Sequence, residues 1–161
     1  MQLTHMDENG NVRMVNVSDK PETRRTAKAV GRVKVNAETF RMIAGGGSKK
    51  GDVLQTAKLA GIMGAKKTSD LIPLCHPVAL TGIDLTLRCE EESLSVVIEA
   101  EAECIGKTGV EMEVLTAVSI AALTVYDMCK AVQKDIVIEE IRLLRKSGGV
   151  HGEYEWNTQQ Q

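Results

Sequence analysis

Four charged residues bracket one smooth stretch of this chain. Between Gly106 and Lys130 the sequence reads GKTGVEMEVLTAVSIAALTVYDMCK, with Glu111 and Glu113 near its start and Asp127 and Lys130 at its finish. The middle is small and apolar, and its spacing predicts one long helix. Along such a helix Glu113 and Asp127 stand about 20 Å apart at ~1.5 Å per residue. At ~100° per residue they fall close to one stripe. One small ligand does not reach both ends of a single helix. Two copies packed antiparallel about a twofold axis would set the start of one beside the end of the other. The pattern therefore points to a polar site shared between subunits.

Lysines gather where the chain changes direction. Ser48-Lys49-Lys50-Gly51-Asp52 precedes a helix start, and Lys66-Lys67-Thr68 ends that helix. Lys130 closes the long helix, and Lys146-Ser147-Gly148-Gly149 follows the last strand. Helix starts and glycine-rich turns offer backbone N–H groups, and lysines offer point charges. Together they suit a polyanion such as a phosphate chain. The plainer reading, lysines solvated in loops, stands beside it. Gly45–Lys50 lacks the spacing of a Walker loop. Lysines converging on one pocket would repel, lowering the pKa of at least one into a range useful for proton transfer. Asp127 and Lys130, three apart on a helix, face the same way; the alternative for them is a surface ion pair.

His76 lies between Cys75 and Pro77 in LIPLCHP, a loop stiffened by two prolines. It suits either an oriented acid or a histidine that satisfies a backbone carbonyl. The four cysteines form no C-x-x-C pair and the three histidines show no ligand spacing, so no metal site is expected. Reduced, buried thiols are expected. A net charge of −2 on 161 residues offers no field for nucleic acid or membrane, and four aromatic residues (Phe40, Tyr126, Tyr154, Trp156) are too few for base stacking. Val114–Val125 is too short an apolar run to span a bilayer, and no signal peptide opens the chain, so a cytoplasmic protein is expected.

These residues need elements to hold them. Residues 1–28 are polar, carry an Asn9-Gly10 turn signal and a basic cluster at Arg24, Arg25 and Lys28, and read as a mobile arm. A strand is expected over Val30–Asn36 and a short helix over Ala37–Ala44. A second helix runs from Val53 to about Lys66 behind an Asp52 cap. Strands over 80–89 and 94–104 meet at a Glu90–Ser93 turn, the second with Val96, Ile98, Ala100, Ala102 and Cys104 on one face and Glu99, Glu101 and Glu103 on the other. After the long helix come a strand over Asp135–Leu144 and a basic, glycine-rich tail. The order β, α, α, β, β, α, β is a split βαβ pattern with an additional helix. It predicts an α+β domain spanning residues 1–161, with a four-stranded antiparallel sheet packed on helices and a disordered tail over 153–161.

The strings LTHMDENGNVRMVNVSDKPETRR, KGDVLQTAKLAGIMGAKKT, DLIPLCHP, GKTGVEMEVLTAVSIAALTVYDMCKAV and KSGG resemble the molybdenum cofactor biosynthesis protein C family over nearly the whole chain. The resemblance implies a cyclic pyranopterin monophosphate synthase. Such an enzyme would act after a radical SAM enzyme, convert 3′,8-cyclo-7,8-dihydro-GTP and release pyrophosphate. It implies a ferredoxin-like βαββαβ fold with an additional helix, in a homohexamer built as a trimer of dimers with sites at the dimer interface. Carried over, Lys50, Asp127 and Lys130 match the catalytic core. Arg25, Lys66, Leu74, Cys75, His76, Glu111, Met112, Glu113 and Lys146 match the substrate pocket. Gly64 and Lys107 are read as positions of little consequence. No cofactor is demanded; Mg²⁺ would fit the pyrophosphate moiety as an assistant. The alternatives from the residues themselves are a non-catalytic phospholigand-binding module and a structural oligomer whose lysines and glutamates are interface salt bridges.

Overall fold

The computed structural model describes residues 5–46, 51–149 and 152–157. Strand β1 (Thr23–Lys34) is followed by helices α1 (Ala37–Ala44), α2 (Val53–Ala65) and the single turn α3 (Thr68–Leu71). The hairpin β2 (Leu80–Glu90) and β3 (Ser95–Gly106) leads into the long helix α4 (Glu111–Cys129), then β4 (Val137–Ser147) and a short β5 (Tyr154–Glu155). The sheet order is β2-β3-β1-β4-β5, and every neighbouring pair is antiparallel. The first four strands and the two long helices make the split βαβ arrangement of a ferredoxin-like α+β fold.

Local chemistry sets the element bounds. Asn36 caps α1 by accepting from the Thr39 N–H at 2.8 Å, and Asp52 caps α2 by accepting from the Gln55 N–H at 3.1 Å. On β3 the even-numbered residues from Val96 to Cys104 are buried, as their alternation requires. On β1 the inward positions are small: Ala27 pairs across the ladder with Ala102 and Ala29 with Ala100. That low ground lets α4 come close. Val114, Ala117, Val118, Ala121 and Val125 are all fully buried, each large aliphatic contributing about 1.5–3 kcal/mol of burial. By length and composition α4 could cross a membrane, yet these residues lie in the core of the domain.

Helix α2 packs on α4 through glycine. A Cβ on Gly61 would lie 2.3 Å from Leu85 Cδ2 and 2.9 Å from the Ala117 carbonyl oxygen. On Gly64 it would lie 2.7 Å from Ile120 Cγ1. Gly64 is therefore a packing position, contrary to the minor role expected for it.

The other sheet face carries alternating charge. Arg24 pairs with Glu103 (2.6 Å), Lys28 with Glu99 (2.5 Å), Arg32 with Glu90 and Glu140, and Arg145 with Glu101.

Three boundaries differ from expectation. Strand β1 begins at Thr23, so the last residues assigned to the arm belong to the central strand of the sheet. Its inward side chains there are Arg25 and Ala27, alanine carries little strand propensity, and pairing on both edges overrides that deficit. Strand β4 continues to Ser147, through the segment read as the start of the tail. Tyr154 and Glu155, placed in a disordered tail, add a fifth strand by pairing with Lys146 and Arg145. Trp156 completes this edge: its backbone N–H donates to the Leu144 carbonyl at 2.7 Å, and the Arg142 guanidinium stacks 4.8 Å from its ring centre. The Asn9-Gly10 turn forms as expected, with the Asp7 carboxylate accepting from the Asn9 and Asn11 N–H groups.

Candidate active site

The turn between β3 and α4 places Lys107, Thr108 and Gly109 beside two adjoining cavities. The cavities share Thr108, Gly109 and Glu111 as lining.

The first, about 170 Å³, is cationic: Lys20, Arg25, Lys107 and Lys146 face it together with Glu111. Arg25 is 95% buried by the start of β1 and donates to the carbonyls of Gly106 (3.2 Å) and Lys107 (3.4 Å). Strand alternation explains why Arg25 is here while Arg24 and Lys28 join the charged outer face. Lys146, near the end of β4, donates to Glu111 Oε1 at 2.8 Å. Gly148 fixes the crossing of β4 over β1. Its φ is +87°, a Cβ would fall 1.8 Å from the Arg24 carbonyl oxygen, and Thr23 Oγ1 donates to its carbonyl at 2.7 Å.

The second cavity, about 270 Å³, is lined by His5, Leu74, Cys75, His76, Val78, Met112 and Glu113 besides the shared residues. Glu113 is almost fully buried, and burial pushes its carboxyl up to about 7, with the charge of Glu111 acting in the same direction. Burial also raises the Cys75 thiol, and the negative Glu113 adds to this. All four cysteines are free. His76 Nε2 lies 2.6 Å from the Val15 carbonyl oxygen and donates to it. Both readings of this histidine meet here: it satisfies a backbone carbonyl and it faces a cavity. Lys107 Nζ donates to the Ser18 carbonyl at 2.7 Å, so two side chains tie the segment before β1 across the site.

The expected residues separate into two groups. Arg25, Leu74, Cys75, His76, Glu111, Met112, Glu113 and Lys146 come together at the start of α4. Asp127 and Lys130 stand at its far end, about 20 Å away at ~1.5 Å per residue. There they pair at 2.7 Å with side chains 65% and 54% exposed. The Asp127 carboxylate holds the Lys130 ammonium above its ordinary value. Within one chain this pair is therefore exposed and its lysine raised, the reverse of the burial and depressed pKa expected of a lysine crowded by others. Lys66 caps the C-terminus of α2 and is exposed. Lys50 lies outside the described residues.

The match to a family model covers residues 14–149, under the description MoaC family. The chain belongs to the MoaC family. It is 59% identical over 152 residues to a cyclic pyranopterin monophosphate synthase of Heliobacterium modesticaldum, covering 94% of this chain and 96% of the relative. It is 54% identical to a protein of that name from a Thermoanaerobacter species, over 96% and 98% of the two chains. A third, from Parvibaculum lavamentivorans, is 53% identical over 95% and 96%.

Within this MoaC-family chain, Lys107 and Gly109 line the cavities although spacing alone does not single them out, and Lys20 of the N-terminal segment joins the cationic one. Lys107 had been set aside, yet it faces the cationic cavity and anchors the N-terminal segment. The available signal was the Lys-Thr-Gly at the head of α4, since a helix start preceded by a basic turn is a natural anion site.

Proposed function

We propose that this chain is a cyclic pyranopterin monophosphate synthase, a lyase of molybdenum cofactor biosynthesis. It would convert 3′,8-cyclo-7,8-dihydro-GTP to cyclic pyranopterin monophosphate and pyrophosphate. The observation that carries this reading is the pair of adjoining cavities divided by Glu111. One is basic enough for a phosphate chain, and the other offers carboxylates, a histidine and apolar walls for a heterocycle.

In this reading Arg25, Lys146, Lys107 and Lys20 neutralise the triphosphate. Glu111 and Glu113 face the donor-rich edge of the base, flanked by Leu74, Cys75, His76 and Met112. The rearrangement opens an aminal, which requires a proton at nitrogen. We assign that proton to Lys50, with Lys130 as second acid–base group oriented by Asp127. A ribose-derived hydroxyl then attacks the α-phosphorus, and the cations stabilise charge moving onto the departing pyrophosphate. Mg²⁺, as an assistant, would be held through the pyrophosphate moiety of the substrate and would help neutralise its charge.

Asp127, Lys130 and Lys66 reach the site from a second subunit, within a trimer of dimers. Leu59, Met63 and Leu123, exposed on α2 and α4, support burial of the helix layer against another copy. We place the protein in the cytoplasm, downstream of a radical SAM enzyme that supplies its substrate.

The test is turnover of 3′,8-cyclo-7,8-dihydro-GTP with both products measured. Cyclic pyranopterin monophosphate and pyrophosphate in equal amounts establish the reading. Tight binding with neither product leaves a phospholigand-binding module.

A further inference from the structure

Gly109 lines both cavities, and its missing side chain is filled by a catalytic-site carboxylate. A Cβ there would fall 1.9 Å from Glu111 Oε2, 2.7 Å from Cδ and 2.9 Å from Oε1. Gly109 is not among the glycines with positive φ, so its backbone suits alanine. The obstruction is the tip of a flexible side chain. A methyl group would therefore be accommodated by moving the carboxylate. Gly148 is the contrast: its φ is +87° and a Cβ would strike backbone, so that glycine governs the path of the chain.

The Glu111 carboxylate thus rests on the bare Cα of Gly109 while its Oε1 receives the Lys146 ammonium at 2.8 Å. Both partners are about 70% buried, with side-chain exposures of 32% and 27%. Moving the carboxylate changes the cationic cavity through Lys146. It also changes the second cavity, because Glu111 lines it beside Glu113.

We propose that Gly109 is a positioning residue for the reaction: it seats the Glu111 carboxylate in the partition between the two halves of the site and so sets how much Lys146 charge faces the phosphate chain. This rests on the synthase reading above.

The experiment is a double-mutant cycle of Gly109→Ala and Glu111→Asp, with melting temperature, kcat and KM for each. Glu111→Asp retracts the carboxylate by one methylene from the place the new methyl would take. Gly109→Ala is expected to melt with the wild type and lose kcat/KM on the order of tenfold to a hundredfold. Adding Glu111→Asp should then cost little more. A second readout needs no turnover: calorimetric binding of inorganic tripolyphosphate should shift several-fold in Gly109→Ala, and not in a Lys146→Ala background. Multiplicative kinetic effects, wild-type behaviour of Gly109→Ala, or a loss fully matched by lower melting overturns the proposal. If the wild type binds tripolyphosphate with this coupling but forms no product, the synthase reading fails and the positioning role stands.

Discussion

The two ends of α4 are built oppositely. At its start Glu113 is buried beside Cys75 and lifted to about 7 by desolvation. At its finish Asp127 and Lys130 form an exposed pair in which each stabilises the charge of the other. The start opens on two cavities that one chain lines with its own loops. The finish is a charged tip whose two side chains are more than half exposed. A buried, desolvated carboxylate reports on the chain that carries it, whereas an exposed ion pair contributes little to that chain's stability. Its value has to be sought in what the tip meets.

The sharpest way to break this comparison is Lys130→Ala. Activity should fall by about 10²–10⁴, the range for loss of a general acid–base group, while the melting temperature stays put. A parallel loss of stability would make the tip structural. Next comes complementation between Glu113→Ala and Asp127→Ala chains, each nearly inactive alone. After subunit exchange about a quarter of wild-type turnover should return, because half of the random pairs are mixed and each mixed pair has one intact site. No rescue, with exchange proven by mass, places both ends of the site on one chain.

Glu113 sharpens the other side. Its folded pKa is raised, so the native state holds its proton at pH values where the unfolded chain releases it. Its contribution is intact below the ordinary carboxyl range and is lost as pH rises through about 7. The stability of Glu113→Gln relative to wild type should therefore grow between pH 4 and pH 9, by up to about 3 kcal/mol. A constant difference across that span shows a carboxyl with an ordinary pKa. Between the two ends, Gly61→Ala probes the seam with α2. Crowding against Leu85 and Ala117 should cost about 1–3 kcal/mol in denaturant unfolding. An unchanged midpoint means that the helices can part without penalty. The smallest effect is expected of Lys107→Met. It frees Ser18, so proteolytic nicking before Thr23 should quicken a few-fold with the core untouched; equal rates show that His76 suffices as an anchor.

Much of the fold was legible because caps and periodicity are local. Asp52 and the even-numbered face of β3 announce their elements within a few residues, whereas Asn36, read as the end of a strand, caps α1. The start of β1 was hidden because Ala27 and Ala29 signal nothing until β3 and β4 flank them, and β5 because two edge residues carry no period. The site was legible where residue type spoke alone, at His76, Glu111 and Glu113. Arg24, Arg25 and Lys28 read as one basic cluster until the strand sorted them onto opposite faces. Gly109 depends on contacts around a turn that spacing does not encode.

Strand β1 has a further consequence during synthesis. It is central in the sheet, yet Thr23 pairs with Gly106 and Lys34 with Val137. At about 5–20 residues per second, its partners leave the ribosome roughly four to twenty seconds after it. Throughout that wait both edges of β1 are open to any passing strand. Arg24, Lys28 and Arg32, neutralised by glutamates in the finished sheet, are then three bare cations spaced along a nascent edge. They repel a second nascent chain of the same sequence and guard the strand until its own glutamates arrive.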